Sequence, residues 1–394
     1  MKSDSGLRFA RFVDRRLGDP LVRLLAPLAA ARRDDSPAGE PRRILLVKFH
    51  GIGNIVMLLP ALRAIRSRFP AAEIDLLTFS SNREVCAGLA DIDHTHALDG
   101  DSLATFVRSA AGLLPLLRSR HFDLVLDFEQ FATASALIAM LTGAPRRIGF
   151  STRETPRGRA FTHPIEYLET GHMSRIFLEI ARRAGASTDG QLPARLVPGR
   201  DGEEELRSWA DRAGIGEQDN IVVLHPGSSP NLTLRRWPAP RFAELADRLR
   251  AAFGARIVIT GEAQERALAD VVARGMRSPG LNAAGELGFS GFAALCRRAA
   301  LVVSSDTSAV HVASAVGTPV AGLYGPNTPF LYGPTGERDL VFYHPLPCSP
   351  CLTNENAKVS NCRRARCMEL IGVDEVFEAI RTQFPGQLGG NSRP

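Results

Sequence analysis

What most constrains this chain is a series of short apolar segments that occurs twice. "RILLVKF", "EIDLLTF" and "FDLVLDF" lie before residue 130, and "IVVLHPG", "ARIVITG", "LVVSSD" and "VAGLYGP" lie after residue 200. Each is bounded by glycine or polar residues and separated from the next by a stretch of helical period. Parallel strands need such crossover helices, so the alternation predicts doubly wound sheets with helices on both faces. Two sets predict an α/β protein of two Rossmann-like domains facing across a cleft, with ligands held at the carboxyl ends of the strands. A chain of 394 residues is long enough for both cores.

The expected division is an N-terminal basic amphipathic extension (1–40), a first domain (41–198), a second domain (199–372) and a C-terminal helix and tail (373–394). The proline- and glycine-bearing stretch Gln191 to Leu206 marks the linker. In the extension, Leu7, Phe9, Phe12, Val13, Leu17, Leu21, Leu24, Leu25 and Leu28 alternate with arginines, while Pro20 and Pro27 interrupt the pattern. Two readings stay open: a helix lying on a membrane surface, or one packed on its own domain. No apolar run approaches the ~20 residues of a membrane span, and no secretory signal is evident. The expectation is a cytoplasmic protein, which on the first of these readings would also make peripheral contact at the inner membrane's cytoplasmic face. The net charge of +6 favours acidic partners, here phosphates or anionic lipid. Nucleic acid is not among the expected partners. The tail "PGQLGGNSRP" reads as disordered.

The chemistry-bearing segments sit at predicted strand ends. After "LVVSSD", Asp306 is placed to cap a helix whose first turn holds Thr307 and Ser308 and whose same face holds His311. The positive end of such a helix suits phosphate. "LHPGSSPNLTLRRWP" adds a Gly-Ser-Ser loop with Arg235 and Arg236, whose forked donors match a diphosphate. "ITGEAQE" ends a strand in acidic residues suited to ribose or sugar hydroxyls.

In this order the segments "ILLVKFHGIGNIVMLLPALRAIRSRFP", "FDLVLDFEQFATASALIAMLTGAPRRIGF", "LHPGSSPNLTLRRWP", "VITGEAQE" and "DTSAVHVASAVGTPVAGLYGPNTP" resemble glycosyltransferase family 9, the ADP-heptose:lipopolysaccharide heptosyltransferases. The resemblance spans about residues 43–381. It implies the GT-B fold, an acceptor held mainly by the first domain and a nucleotide sugar held by the second. The implied reaction is an inverting displacement from a donor such as ADP-heptose onto a cell-envelope glycolipid such as lipopolysaccharide core, with no catalytic cofactor. It assigns Lys48, Ser228, Arg235, Glu265, Asp306, Thr307, Ser308 and His311 to the donor. Modification of a protein or another polysaccharide, and a catalytically silent nucleotide-sugar binder, are the alternatives.

The chain departs from the family pattern where the base is expected. The family's first loop reads Gly-Asp, whereas this chain has Gly53 and Asn54. An amide cannot accept a proton near neutral pH, so another group serves, the protein is inactive, or the aspartate's usual role is different in this branch. Glu129 stands where relatives carry an uncharged glutamine, and His50 lies in the loop itself. Glu129 is the favoured replacement base and His50 the second. Ser308 replaces the family's glycine after the Asp-Thr pair.

Four of the six cysteines, Cys348, Cys351, Cys362 and Cys367, fall in one segment. Their spacing could supply four thiolates to a structural zinc or iron. The rival reading is four reduced thiols in a loop. Similar clusters recur in the family, and some protein-modifying relatives hold iron in a comparable segment. Cys86 and Cys296 read as core residues.

Overall fold

In the computed structural model, which describes residues 14–30, 39–188, 195–354, 356 and 358–385, the chain forms two compact units divided between Ala194 and Arg195. The segment before Asp14, with the extension's first apolar residues, and the tail beyond Pro385 lie outside the described residues.

The first unit is built on six parallel strands: β1 (Arg43–Val47), β2 (Glu73–Phe79), β3 (His94–Leu98), β4 (Leu124–Asp127), β5 (Arg146–Ser151) and β6 (His163–Glu166). Their order is β3-β2-β1-β4-β5-β6. The second unit repeats this with β7 (Ile221–His225), β8 (Arg256–Ile259), β9 (Leu281–Asn282), β10 (Leu301–Ser305), β11 (Val320–Tyr324) and β12 (Leu340–Tyr343). Its order, β12-β11-β10-β7-β8-β9, is the same winding. The central strands are fully buried on both faces, which is why they read as continuous apolar runs.

In both units the strand order reverses beside the first strand, between β1 and β4 and between β7 and β10. A doubly wound sheet opens its ligand crevice there, because the crossover helices leave in opposite directions. Loops carrying most of the predicted site residues follow these four strands, while Glu265 follows β8 and the cysteine segment follows β12.

The described part of the N-terminal extension packs on its own unit. A π-helical turn, Asp14–Gly18, leads into the helix Asp19–Ala30, whose Val22 and Ala26 enter the first core. Asp14 accepts hydrogen bonds from the Thr133 and Ala134 amides at 2.7 and 2.8 Å, closing the amino end of the helix Thr133–Leu141. Asp19 accepts from the Thr133 hydroxyl at 2.7 Å. No helix among the described residues is long and apolar enough to cross a membrane.

Candidate functional site

At the first switch point, Lys48, His50, Asn54 and Glu129 come together. The Lys48 amide still belongs to the sheet, donating to Leu77 O at 3.0 Å, and the chain then turns through Gly51 into the helix Ile52–Arg68. Gly51 has φ +83°, a conformation that side-chain-bearing residues avoid. Opposite this loop, Glu129 leaves the end of β4. Its Oε1 accepts from Lys48 Nζ at 3.1 Å, from the Phe49 amide at 2.7 Å and from the His50 amide at 3.1 Å. Its Oε2 faces His50 Nδ1 at 3.7 Å.

Burial would raise the Glu129 carboxyl, but the Lys48 charge, with His50 and the loop amides, outweighs it and holds the group far below the ordinary carboxylate range. Lys48 is 1% exposed and turned inward against the Phe177 ring. Its ammonium therefore neutralises Glu129 rather than projecting into solvent, and this arrangement does not favour the expected contact with donor phosphates. Nor does it favour Glu129 as the base, since that carboxylate is stabilised in its charged form and one oxygen is already filled by three donors.

Behind this pair lies a second buried one. Arg157 Nη2 meets Asp127 Oδ2 at 3.1 Å with both side chains inaccessible to water. The Ser135 hydroxyl and the Glu129 amide also donate to Asp127, at 2.8 Å each. Burial pushes the Asp127 carboxyl up to about 6, against the pull of Arg157. This pair fixes the start of the Glu129 turn.

His50 is the exposed member of the group, with 57% of its side chain in solvent. Its ring stands edge-on to Phe79 at 5.0 Å. Asn54 donates from Nδ2 to the His50 carbonyl at 3.1 Å, closing the loop on itself.

The second unit gathers the donor residues. Asp306 extends the β10 ladder, its amide donating to Leu323 O at 3.1 Å, so it is not the helix cap expected from sequence. That role belongs to Thr307, whose Oγ1 accepts from the Ala309 amide at 3.2 Å. The Asp306 carboxylate instead lies 3.3 Å from Arg235 Nε and accepts from Asn327 Nδ2 at 2.8 Å. Arg235 Nη1 donates to the Asp306 carbonyl at 3.3 Å. The Nε contact lacks hydrogen-bond alignment, leaving a buried guanidinium donor unsatisfied. Ser308 opens the helix Ser308–Ala315, and His311 is buried one turn along it.

Ser228 and Glu265 are held by Arg236. That guanidinium donates to the Ser228 hydroxyl at 3.1 Å and carbonyl at 2.9 Å, and lies 3.8 Å from Glu265 Oε1. Glu265 Oε2 accepts from the Glu262 amide at 3.0 Å. A side chain on Gly227 would strike this carboxylate, its Cβ falling 2.3 Å from Oε1.

Two contributors escape a reading of motifs. Asn327 is 2% exposed and bridges Asp306 to Lys358, whose Nζ donates to Asn327 Oδ1 at 3.2 Å. Lys358 comes from the cysteine segment and lies over the Tyr332 ring at 4.3 Å. The same segment is strapped to the β11 end by the Cys351 and Leu352 amides, which donate to Pro326 O at 2.9 and 2.7 Å. The only sequence signal was the strand-end run "YGPN".

The four cysteines do not form a tetrahedral set. Cys348 is exposed and Cys367 buried, Cys362 Sγ turns to the Arg364 carbonyl at 3.2 Å, and no three of the thiols lie within 4.8 Å of one another. Among the described residues the one group of three potential ligands is Glu73, Asp75 and His94, and Arg120 already pairs both carboxylates at 2.7 and 2.9 Å.

The profile of glycosyltransferase family 9 (heptosyltransferase) matches residues 113–360. The chain belongs to this family. Like its other members it is a glycosyltransferase of GT-B fold. It is 24% identical over 307 residues to lipopolysaccharide heptosyltransferase 3 of Escherichia coli K12, covering 75% of this chain and 86% of that protein. To lipopolysaccharide heptosyltransferase 1 of Pseudomonas aeruginosa it is 25% identical over 351 residues, 82% and 92% of the two chains. The crystal structure of a family 9 glycosyltransferase from Veillonella parvula superposes with a TM-score of 0.74 at 19% identity, covering 87% of this chain and 97% of that one. The E. coli heptosyltransferase WaaC with ADP gives a TM-score of 0.67 at 18% identity, covering 86% and 99%.

Proposed function

We propose that the protein transfers heptose from ADP-heptose to a lipopolysaccharide-core glycolipid, with inversion at the anomeric carbon. The observation that carries this is the second switch point, where Arg235, held by Asp306, adjoins the capped amino end of the His311 helix. Amides of the first helical turn without intrahelical partners, the helix dipole and a buried guanidinium together complement the charge that builds on a departing diphosphate. Thr307, Ser308 and His311 are the proposed phosphate and sugar contacts, Glu265 the proposed ribose contact, and Ser228 shapes the loop. No metal ion is required for that charge stabilisation. The relatives' names supply the sugar and acceptor. No three of the four thiols converge as a ligand set, although burial and the neighbouring Cys351 and Cys362 push the Cys367 thiol up, and no metal is assigned to them.

The test is transfer itself. Purified protein is mixed with ADP-heptose and a core-truncated lipopolysaccharide, and product mass and ADP release are followed. A heptose increment on the lipid supports the reading, while an increment only on a protein acceptor supports the protein-modifying alternative. ADP-heptose binding without turnover on any acceptor identifies a silent homologue.

Peripheral attachment to an anionic membrane belongs to the same proposal. The helix Asp19–Ala30 buries Val22 and Ala26 but leaves Leu21 and Leu24 exposed, and Leu17 just before it is exposed as well. These leucines follow helical spacing on one face, beside exposed Arg15, Arg16 and Arg23. Such a face fits the interface of a bilayer that carries acidic headgroups. Flotation with vesicles containing phosphatidylglycerol, lost on changing the three leucines to serine, would support it; equal flotation of the variant would refute it.

A further inference from the structure

The loop after β1 and the turn after β4 carry Asn54 and Glu129, which both depart from the family pattern, and His50 lies between them. Their geometry distributes the roles. Glu129 Oε1 is fixed by Lys48 and two loop amides, whereas Oε2 is directed at the Nδ1 side of His50, 3.7 Å away. The His50 ring is steadied edge-on by Phe79 and keeps Nε2 free of any partner among the described residues. Asn54 is committed to the His50 carbonyl as a hydrogen-bond donor, which a carboxylate could not be.

We propose that His50 is the general base of the transfer, and that Glu129 is a positioning residue that holds the imidazole with Nδ1 protonated and the Nε2 lone pair outward. This rests on the transferase reading given above. The acceptor's hydroxyl proton passes to His50 Nε2 as its oxygen bonds to the anomeric carbon. The bond from that carbon to the β-phosphate oxygen breaks, and its electron pair leaves with ADP. The imidazolium, stabilised by Glu129, then releases its proton to solvent. A carboxylate behind an imidazole does this work in hydrolytic triads by fixing tautomer and orientation.

The charged groups around His50 are few. Glu129 faces it directly, with Lys48 on the other oxygen of that carboxylate and the Asp127–Arg157 pair behind. The net local charge is therefore close to balanced, and Glu129 is the group nearest the ring.

Nitrogen-detected imidazole NMR on the full-length protein is the direct test, because it needs no substrate. The expected His50 signal in neutral protein is the Nδ1–H tautomer, and that tautomer preference should be lost in Glu129→Gln. In parallel, His50→Gln, an exposed substitution, is expected to lower the rate of ADP release from ADP-heptose with the lipid acceptor by roughly 10²–10⁴-fold. The acid limb of the pH–rate profile should disappear while ADP affinity is retained. Unchanged turnover in His50→Gln, or an Nε2–H tautomer, would overturn the dyad. Failure of wild-type protein to turn over any acceptor would instead count against the transferase reading, and the NMR result would then decide the dyad alone. If Glu129→Gln does not fold, the wild-type tautomer and His50→Gln still decide it.

Discussion

Lys48 Nζ and Glu129 Oε1 meet at 3.1 Å with the side chains 1% and 6% exposed, so each charge depends on the other for its burial. Removing one leaves the other stranded, which for buried pairs costs about 3–5 kcal/mol. Glu129→Gln is expected to lose stability of that order at pH 7, read by urea denaturation. The pH dependence has a definite sign. The folded-state carboxyl is lowered relative to the unfolded one, so its contribution is present above the unfolded value near 4.5 and is lost as pH falls below it. The gap between wild type and variant should therefore narrow on acidification below about pH 4.5.

Asn54 tests whether the loop has been rebuilt or merely damaged. Its Nδ2 donates to the His50 carbonyl, so Asn54→Asp removes a donor and sets two oxygens against each other. That change restores the family's sequence pattern, yet it is expected not to raise the transfer rate. Steady-state kinetics with a pH profile checks this, and a rate gain with a lower acid limb would show that the aspartate position is still competent.

Asn327 couples the cysteine segment to the donor residues. It bridges the Asp306 carboxylate and Lys358 from a buried position. Asn327→Ala leaves both without that partner, at about 1–3 kcal/mol for the groups left unpaired. Part of this should appear as weaker ADP binding, because Asp306 sets the Arg235 guanidinium, and the effect should fall on KM for the donor more than on kcat.

Gly227 is expected to tolerate no side chain. A Cβ there would lie 2.3 Å from Glu265 Oε1, and that carboxylate is already tied to the Glu262 amide. Gly227→Ala should displace Glu265 and weaken nucleoside diphosphate binding while sparing inorganic pyrophosphate, a difference that competition calorimetry resolves.

The buried strands were legible from sequence because both faces of a central parallel strand are covered, leaving unbroken apolar runs such as "IVVLH". Several strands without such runs lie at the sheet edges. β3 is "HTHAL", β6 carries Pro164, and β9 is two residues long. Likewise the strand-end motifs pointed to the four loops at the two switch points and to the β8 loop that carries Glu265, since glycine and capping residues carry local signals. The partnership of those residues did not show. Asp306 and Thr307 are adjacent and both able to cap, and only the extension of the β10 ladder through the Asp306 amide decides between them. The Lys48–Glu129 and Arg157–Asp127 pairs join residues 81 and 30 positions apart, which no local pattern encodes.

The most direct measurement is calorimetric titration of the full-length protein with ADP, alongside UDP, GDP and CDP and with the Arg235→Ala and Arg235→Lys variants. The account predicts binding of ADP in preference to the others. It predicts a loss of roughly 10–100-fold in Arg235→Ala, as for a hydrogen bond to a charged group worth about 1.5–3 kcal/mol. Lysine should restore little of it, because it lacks the fork. Equal ADP affinity in wild type and Arg235→Ala, or no binding of any nucleoside diphosphate, would contradict the account.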